Sequence, residues 1–144
     1  MTQRIYIASD HAGLALKESL KNRFQDIAWV DLGPFDDQRV DYPDFAKHLT
    51  LKVSQSDFKT LGVLICGSGQ GMAIAANKQE GIRAALCWNE EVAKLAREHN
   101  DANVLCLSSR LVDTETNFLI FQTFLNTKFE GGRHLERVKK IEKD

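Results

Sequence analysis

Residues 61–78 read LGVLICGSGQGMAIAANK. Leu61–Cys66 carries no polar side chain, the composition of a strand covered on both faces, as in the interior of a parallel sheet. Gly67, Gly69 and Gly71 follow, and Met72–Lys78 opens a helix. A buried strand that turns through glycines into a helix predicts an α/β architecture, because parallel strands need a crossover connection.

The same rhythm extends in both directions. Towards the amino terminus, Arg4–Ser9 (RIYIAS) and Ile27–Leu32 (IAWVDL) read as strands. Between them, Ala12–Phe24 places Leu16, Leu20 and Phe24 on one helical face. Gly33–Asp41 is a loop with Gly-Pro and clustered Asp. Pro43 then suits the first turn of a helix whose face carries Phe45, Leu49 and Val53. Towards the carboxyl terminus, Ile82–Cys87 and Asn103–Leu107 read as strands. Asn89 caps a helix with Val92, Leu95, Ala96 and His99 on one face, and Thr114 caps a longer one running to about Thr127. Gly131-Gly132 breaks the chain before a charged final helix, Leu135–Lys143. Five strands alternating with helices predict a five-stranded parallel sheet with helices on both faces, in one domain spanning 1–144. Within it, Phe118–Leu125 (FLIFQTFL) is apolar nearly all round. Such a helix is either simply well buried or packs on its own sheet and on a second subunit.

The chain has 144 residues, with 43% hydrophobic and 27% charged side chains and a net charge of -1. That balance supplies no global field for nucleic acid or an anionic membrane, so anion binding must come from a local cluster. The apolar runs fall far short of the roughly 20 residues of a membrane span. The opening Met-Thr-Gln-Arg lacks the features of a signal peptide, and the expected location is the cytoplasm. Cys66, Cys87 and Cys106 are an odd count, which argues against a disulfide framework. No CxxC or His-rich spacing points to a metal site, so none is expected.

The ligand end of such a sheet lies outside the carboxyl ends of its strands. Ser9-Asp10-His11, Cys66–Gly71 and Ser109-Arg110 follow strand ends. The glycine loop fits neither a dinucleotide fingerprint, which needs Gly where Met72 stands, nor a phosphate-binding NTPase loop, which ends in Gly-Lys-Ser/Thr. A cysteine phosphatase needs Arg six residues after its nucleophile, and that position is again Met72. What remains is a cysteine beside an anion-binding nest and a helix start, surroundings that suit a nucleophile or a general base. His11 and His99 end their elements and are candidate functional groups. His134 reads as a surface loop residue and His48 as an exposed helix residue. Arg110, Arg133 and Arg137 are solvated surface residues or, if clustered near the glycine nest, a phosphate clamp.

SDHAG (9–13), DYPDFA (41–46), ICGSGQGMAIAANK (65–78), GIRAALC (81–87), HNDANVL (99–105) and EGGRHLERV (130–138) together resemble the ribose-5-phosphate isomerase B family, which includes galactose- and allose-6-phosphate isomerases. The resemblance runs through nearly the whole chain. It implies a Rossmann-like three-layer α/β/α domain without metal or organic cofactor, forming homodimers or tetramers in which each pocket is shared between two subunits. It implies Cys66 as the base that moves a proton between C2 and C1, with the Gly67, Gly69 and Gly71 loop holding the enediolate oxygens. Ser68 stands where the family often has Thr. Asp10 and His99 match ring-opening residues, Asn100 an oxyanion-side ligand, and Tyr42 a wall of the site. His11, Arg110, Arg133 and Arg137 match phosphate contacts. A family branch without the cysteine has Glu where this chain has Met72, so the chain resembles the cysteine branch. The expected reaction is aldose–ketose isomerisation of ribose 5-phosphate and ribulose 5-phosphate. The alternatives are a 6-phosphohexose substrate and a non-catalytic phosphosugar sensor.

Overall fold

The structure is a computed structural model that describes residues 3–57 and 59–142. Its five parallel strands are β1 (Arg4–Ser9), β2 (Ala28–Asp31), β3 (Leu61–Cys66), β4 (Ala84–Leu86) and β5 (Val104–Ser108), in the spatial order β2-β1-β3-β5-β4. The helices are α1 (Leu14–Arg23, after a 3-10 turn at His11–Gly13), α2 (Tyr42–Gln55), α3 (Gln70–Ala76), α4 (Glu90–Asn100), α5 (Thr114–Asn126) and α6 (Arg133–Glu142).

Strand alternation divides the apolar side chains into two cores. Ile5, Ile7, Val63, Ile65, Leu105 and Leu107 face α1, α4 and α5. Tyr6, Ala8, Leu64, Cys66, Val104 and Cys106 face α2 and α3. Gly62 lets α2 approach closely: a Cβ there would lie 2.6 Å from Leu49 Cδ2. On the other face α5 buries Ile120, Phe121 and Phe124, and the Phe121 ring meets Phe24 and Trp29 edge-on and tilted. Leu119 on the same helix is 46% exposed. No helix among the described residues is long and apolar enough to cross a membrane.

Several sequence readings shift. Asp113, not Thr114, caps α5, its carboxylate accepting the Thr116 N–H at 2.7 Å. A carboxylate complements the helix dipole better than a hydroxyl. Leu95 is 40% exposed, because α4 lies close over the core on Ala93 and Ala96. β4 is shorter than Ile82–Cys87, since Arg83 N–H turns to the Asn103 side chain at 2.8 Å. His134 is not in a surface loop; it is buried in the first turn of α6. That helix begins at Arg133 rather than Leu135, and its expected end, Lys143, lies outside the described residues.

Lys17 is a charged residue inside the molecule. Its Nζ is fully buried and donates to Asp31 Oδ1 at 2.7 Å and to the Pro34 carbonyl at 2.6 Å. Lys21 reaches the other Asp31 oxygen at 2.7 Å. The pair ties α1 to the end of β2 and to the loop that follows.

Candidate active site

From β1 the chain crosses to β2 on one side and returns to β3 on the other. The crevice between the carboxyl ends of β1 and β3 is therefore the topological switch point, where open α/β sheets bind ligands. A cavity of about 400 Å³ opens there, lined by Asp10, Tyr42, Cys66, Gly67, Ser68, Gly71, Arg110 and Leu111.

Each lining group is held by local structure. Asp10 leaves β1 with its backbone N–H on the Ile65 carbonyl, and its side chain accepts the Gly13 N–H at 3.0 Å. Gly13 has no room for a side chain, since a Cβ would stand 2.6 Å from Ile65 O. His11 Nδ1 accepts the Val40 N–H at 3.2 Å. An acceptor at Nδ1 places the neutral imidazole's proton on Nε2, which is left to donate.

Cys66 ends β3 and is 95% buried. Its Sγ accepts the Gly69 N–H at 3.1 Å. This hydrogen bond strengthens when the sulfur carries negative charge. Gly69 adopts a left-handed φ of +79°, and a Cβ there would collide with Leu86 and the Leu107 backbone. Gly71 is required for a different reason: a Cβ would sit 2.6 Å from the Tyr42 ring that walls the cavity. Ser68 Oγ accepts the Gln70 N–H at 3.2 Å. Met72 is fully buried in the core under α3 and contributes nothing to the cavity. The other two thiols are unlike Cys66. Burial pushes Cys87 up to about 12. Cys106, wholly buried, is pushed well above the ordinary thiol value by burial and by the two neighbouring cysteines.

The loop after β5 is laced to the loop after β3. Arg110 N–H donates to Gly67 O at 3.0 Å, and Ser108 Oγ donates to the same carbonyl at 2.7 Å. Ser109 Oγ donates to the Ala12 carbonyl at 2.9 Å. Buried Asn117 on α5 donates to the Ser108 carbonyl at 3.0 Å and to the Val112 carbonyl at 3.2 Å. Sequence reasoning missed Ser108 and Asn117. Their signal was available: a hydroxyl closing an apolar strand, and one amide in an otherwise apolar helix face.

His11 and Gly69 neighbour lining residues in the chain but do not themselves line the cavity, and neither do His99, Asn100, Arg133 and Arg137. α4 runs antiparallel to the strands and delivers its last residues to the opposite end of the sheet. There Asn103, just beyond it, accepts Gly62 N–H on its carbonyl and bonds to Arg83, at the starts of β3 and β4. Four residue steps of extended strand, about 13 Å at the usual rise, separate Gly62 from Cys66. Asn100, Arg133 and Arg137 are exposed and His99 is half-buried. His99 stacks on His134 with ring centroids 4.2 Å apart and planes 14° apart. Glu130 Oε1 lies 3.6 Å from His99 Nε2 and 3.3 Å from His134 Nε2. Among the described residues these three are the group whose ligand atoms come close enough for a metal. A metal bound to imidazole lies in the ring plane, and two stacked, near-parallel planes share no such point. The trio is a carboxylate oxygen beside two stacked imidazoles.

The sequence profile of the family described as Ribose/Galactose Isomerase matches residues 5–141. A probable ribose-5-phosphate isomerase B of Mycoplasma genitalium is 51% identical, with 98% of this chain and 95% of that protein covered. The ribose-5-phosphate isomerase B of Escherichia coli K12 is 39% identical, with 96% and 94% covered. The crystal structure of the Mycoplasma genitalium ribose-5-phosphate isomerase B with bound ribulose-5-phosphate superposes with a TM-score of 0.94 at 49% identity, covering 99% of this chain and 95% of that one. A Thermotoga maritima ribose 5-phosphate isomerase structure gives a TM-score of 0.92 at 46% identity, with 99% of each chain covered.

Proposed function

The chain belongs to the ribose/galactose isomerase family, and from that premise we propose that it interconverts ribose 5-phosphate and ribulose 5-phosphate through an enediolate, with Cys66 as the base. It is an aldose–ketose isomerase. The observation that carries the assignment of the base is the placement of a thiol in the lining of the switch-point cavity, with a backbone N–H donating to its sulfur.

The reaction needs an open-chain sugar, a base for the weakly acidic proton α to the carbonyl, and donors for the developing oxyanion. Cys66 removes the proton from C2 of the open aldose and returns it to C1. The N–H groups of the Gly67–Gly71 turn other than those of Gly69 and Gln70, together with the Ser68 hydroxyl, hold the enediolate oxygens. Asp10 assists opening of the furanose, and Tyr42 walls the sugar. His11 and Arg110 bind the phosphate, whose remote binding energy positions the reacting carbons. No step in this scheme calls for a metal or an organic cofactor. Three buried free thiols suit a reducing compartment, the cytoplasm.

His99, Asn100, Arg133 and Arg137 reach such a pocket from a second copy of the chain. The opposite-end placement of these residues supports a homodimer, on which a tetramer can be built. Leu111, 74% exposed at the cavity, supports it too, as an apolar surface for a second copy to cover.

Assaying ketose formation from ribose 5-phosphate and from allose 6-phosphate tests the substrate. Turnover of the pentose is expected, in line with the ribulose-5-phosphate bound to the Mycoplasma genitalium relative; turnover of the hexose alone would overturn it. Mixing inactive Cys66→Ala and His99→Ala chains under subunit exchange tests the shared pocket. Half the dimers are mixed and carry one intact pocket each, so activity should return to about a quarter of wild type. No recovery after verified exchange would place both residues in one chain's site and remove the shared pocket. Replacing Arg133 or Arg137 by Ala should raise KM for ribose 5-phosphate about tenfold or more, the worth of a charge-assisted hydrogen bond. Unchanged affinity in both variants would remove the clamp.

A further inference from the structure

Glu130 belongs to no part of the scheme above, yet the chain takes trouble to place it. Gly131 and Gly132 both adopt left-handed φ angles, +69° and +53°, and the reversal they make brings Glu130 back beside α6. Glu130 N–H donates to the Glu98 carbonyl at 3.1 Å, and Arg97 Nε donates to the Thr127 carbonyl at 3.3 Å. The segment is thus fastened to the last turn of α4, the turn that carries His99. His134 is 93% buried and forms a flat support under the His99 ring. One carboxylate oxygen of Glu130 lies 3.6 Å from His99 Nε2 and 3.3 Å from His134 Nε2.

We infer that Glu130 is a positioning residue for His99, holding it on the His134 ring with Nε2–H towards the carboxylate and Nδ1 left to work on the substrate. The inference rests on the reading of His99 as a ring-opening group. In that step the proton on the O1 hydroxyl passes to His99 Nδ1, the C1–O4 bond breaks as the C1 carbonyl forms, and the proton is returned to O4. The imidazole is cationic in between, with the Glu130 carboxylate 3.6 Å from its Nε2. A carboxylate behind a histidine acts in this way in hydrolase triads, fixing tautomer and orientation and stabilising the imidazolium.

Ring opening and proton transfer at carbon can be measured apart. Ribulose 5-phosphate cannot close to a furanose, because its O5 carries the phosphate. Wash-in of deuterium at its C1 from heavy water therefore needs the base but not ring opening, whereas net conversion with cyclic ribose 5-phosphate needs both. Glu130→Ala should lower net conversion roughly tenfold or more, within the range of general acid–base effects, and leave C1 exchange within about twofold of wild type. Glu130→Gln keeps an acceptor but no charge, and should fall between. His99→Ala should show the same split more strongly, and Cys66→Ala should lose both activities. If His99→Ala splits the two activities and Glu130→Ala and Glu130→Gln do not, the role of Glu130 is overturned and that of His99 stands. If both Glu130 variants lose exchange and conversion equally, Glu130 is merely structural and the inference fails. If His99→Ala itself shows no split, the reading of His99 fails first.

Discussion

Cys66→Ala is expected to keep the fold and lose turnover by about 10²–10⁴-fold. The side chain is small, and its removal from the cavity lining leaves the apolar packing of β3 in place. What disappears is the proposed base for the C2 proton. Affinity for ribose 5-phosphate should change little, because the proposed phosphate contacts are untouched. Cys66→Ser should be nearly as poor, since a hydroxyl gives up its proton far less readily than a thiol. The same residue should be the first of the three thiols to react with iodoacetamide, because burial pushes Cys87 up to about 12 and Cys106 well above the ordinary range. Asp10 is the carboxylate that lines the cavity and is the competing base. Near-wild-type turnover in Cys66→Ala, with normal exchange of the C2 proton, would hand the role to Asp10.

The second large effect concerns stability. Asp31→Leu should cost about 3–5 kcal/mol, because it leaves the fully buried Lys17 ammonium with the Pro34 carbonyl in place of a paired carboxylate. In a chain of this size that lowers the unfolding temperature by roughly 10 °C or more. Adding Lys17→Met should recover most of the loss, since an apolar side chain of similar length leaves no charge to satisfy. An unchanged melting temperature in Asp31→Leu would refute the argument. The pair also predicts a pH dependence. Burial works to raise the Asp31 carboxyl, but hydrogen bonds from Lys17, Lys21 and the Gly33 N–H outweigh it and hold the group below the usual carboxylate range. A carboxyl lowered on folding contributes stability in full above its unfolded value of about 3.9, and that contribution is lost as pH falls through the lower folded value. Wild type should therefore lose stability on acidification over that window. Asp31→Leu, already without the contribution, should show a shallower slope there in thermal unfolding followed across acidic pH.

Sequence by itself determined the sheet and its ligand edge. Leu61–Cys66 and Val104–Leu107 are apolar without interruption, and a side chain that alternates between two covered faces leaves no position for a polar group. Once the strands are parallel, whatever follows each one lies on the same edge, so Asp10, Cys66 and Arg110 were legible as neighbours from their place in the chain. The glycine loop was legible as well, because alternating glycines mark a backbone that must turn left-handed or pass close to its surroundings. Tertiary structure decided what depends on separate elements meeting. His134 looked like a loop residue, since nothing local shows that two left-handed glycines fold Glu130 and His134 against the end of α4. Lys17 has the same spacing as an exposed lysine, and its burial is set by Asp31 and Pro34, which arrive from another element. The direction of α4 carries His99 to the edge opposite Cys66. One chain therefore holds the two halves of the proposed site at ends of the sheet that its own strands keep apart.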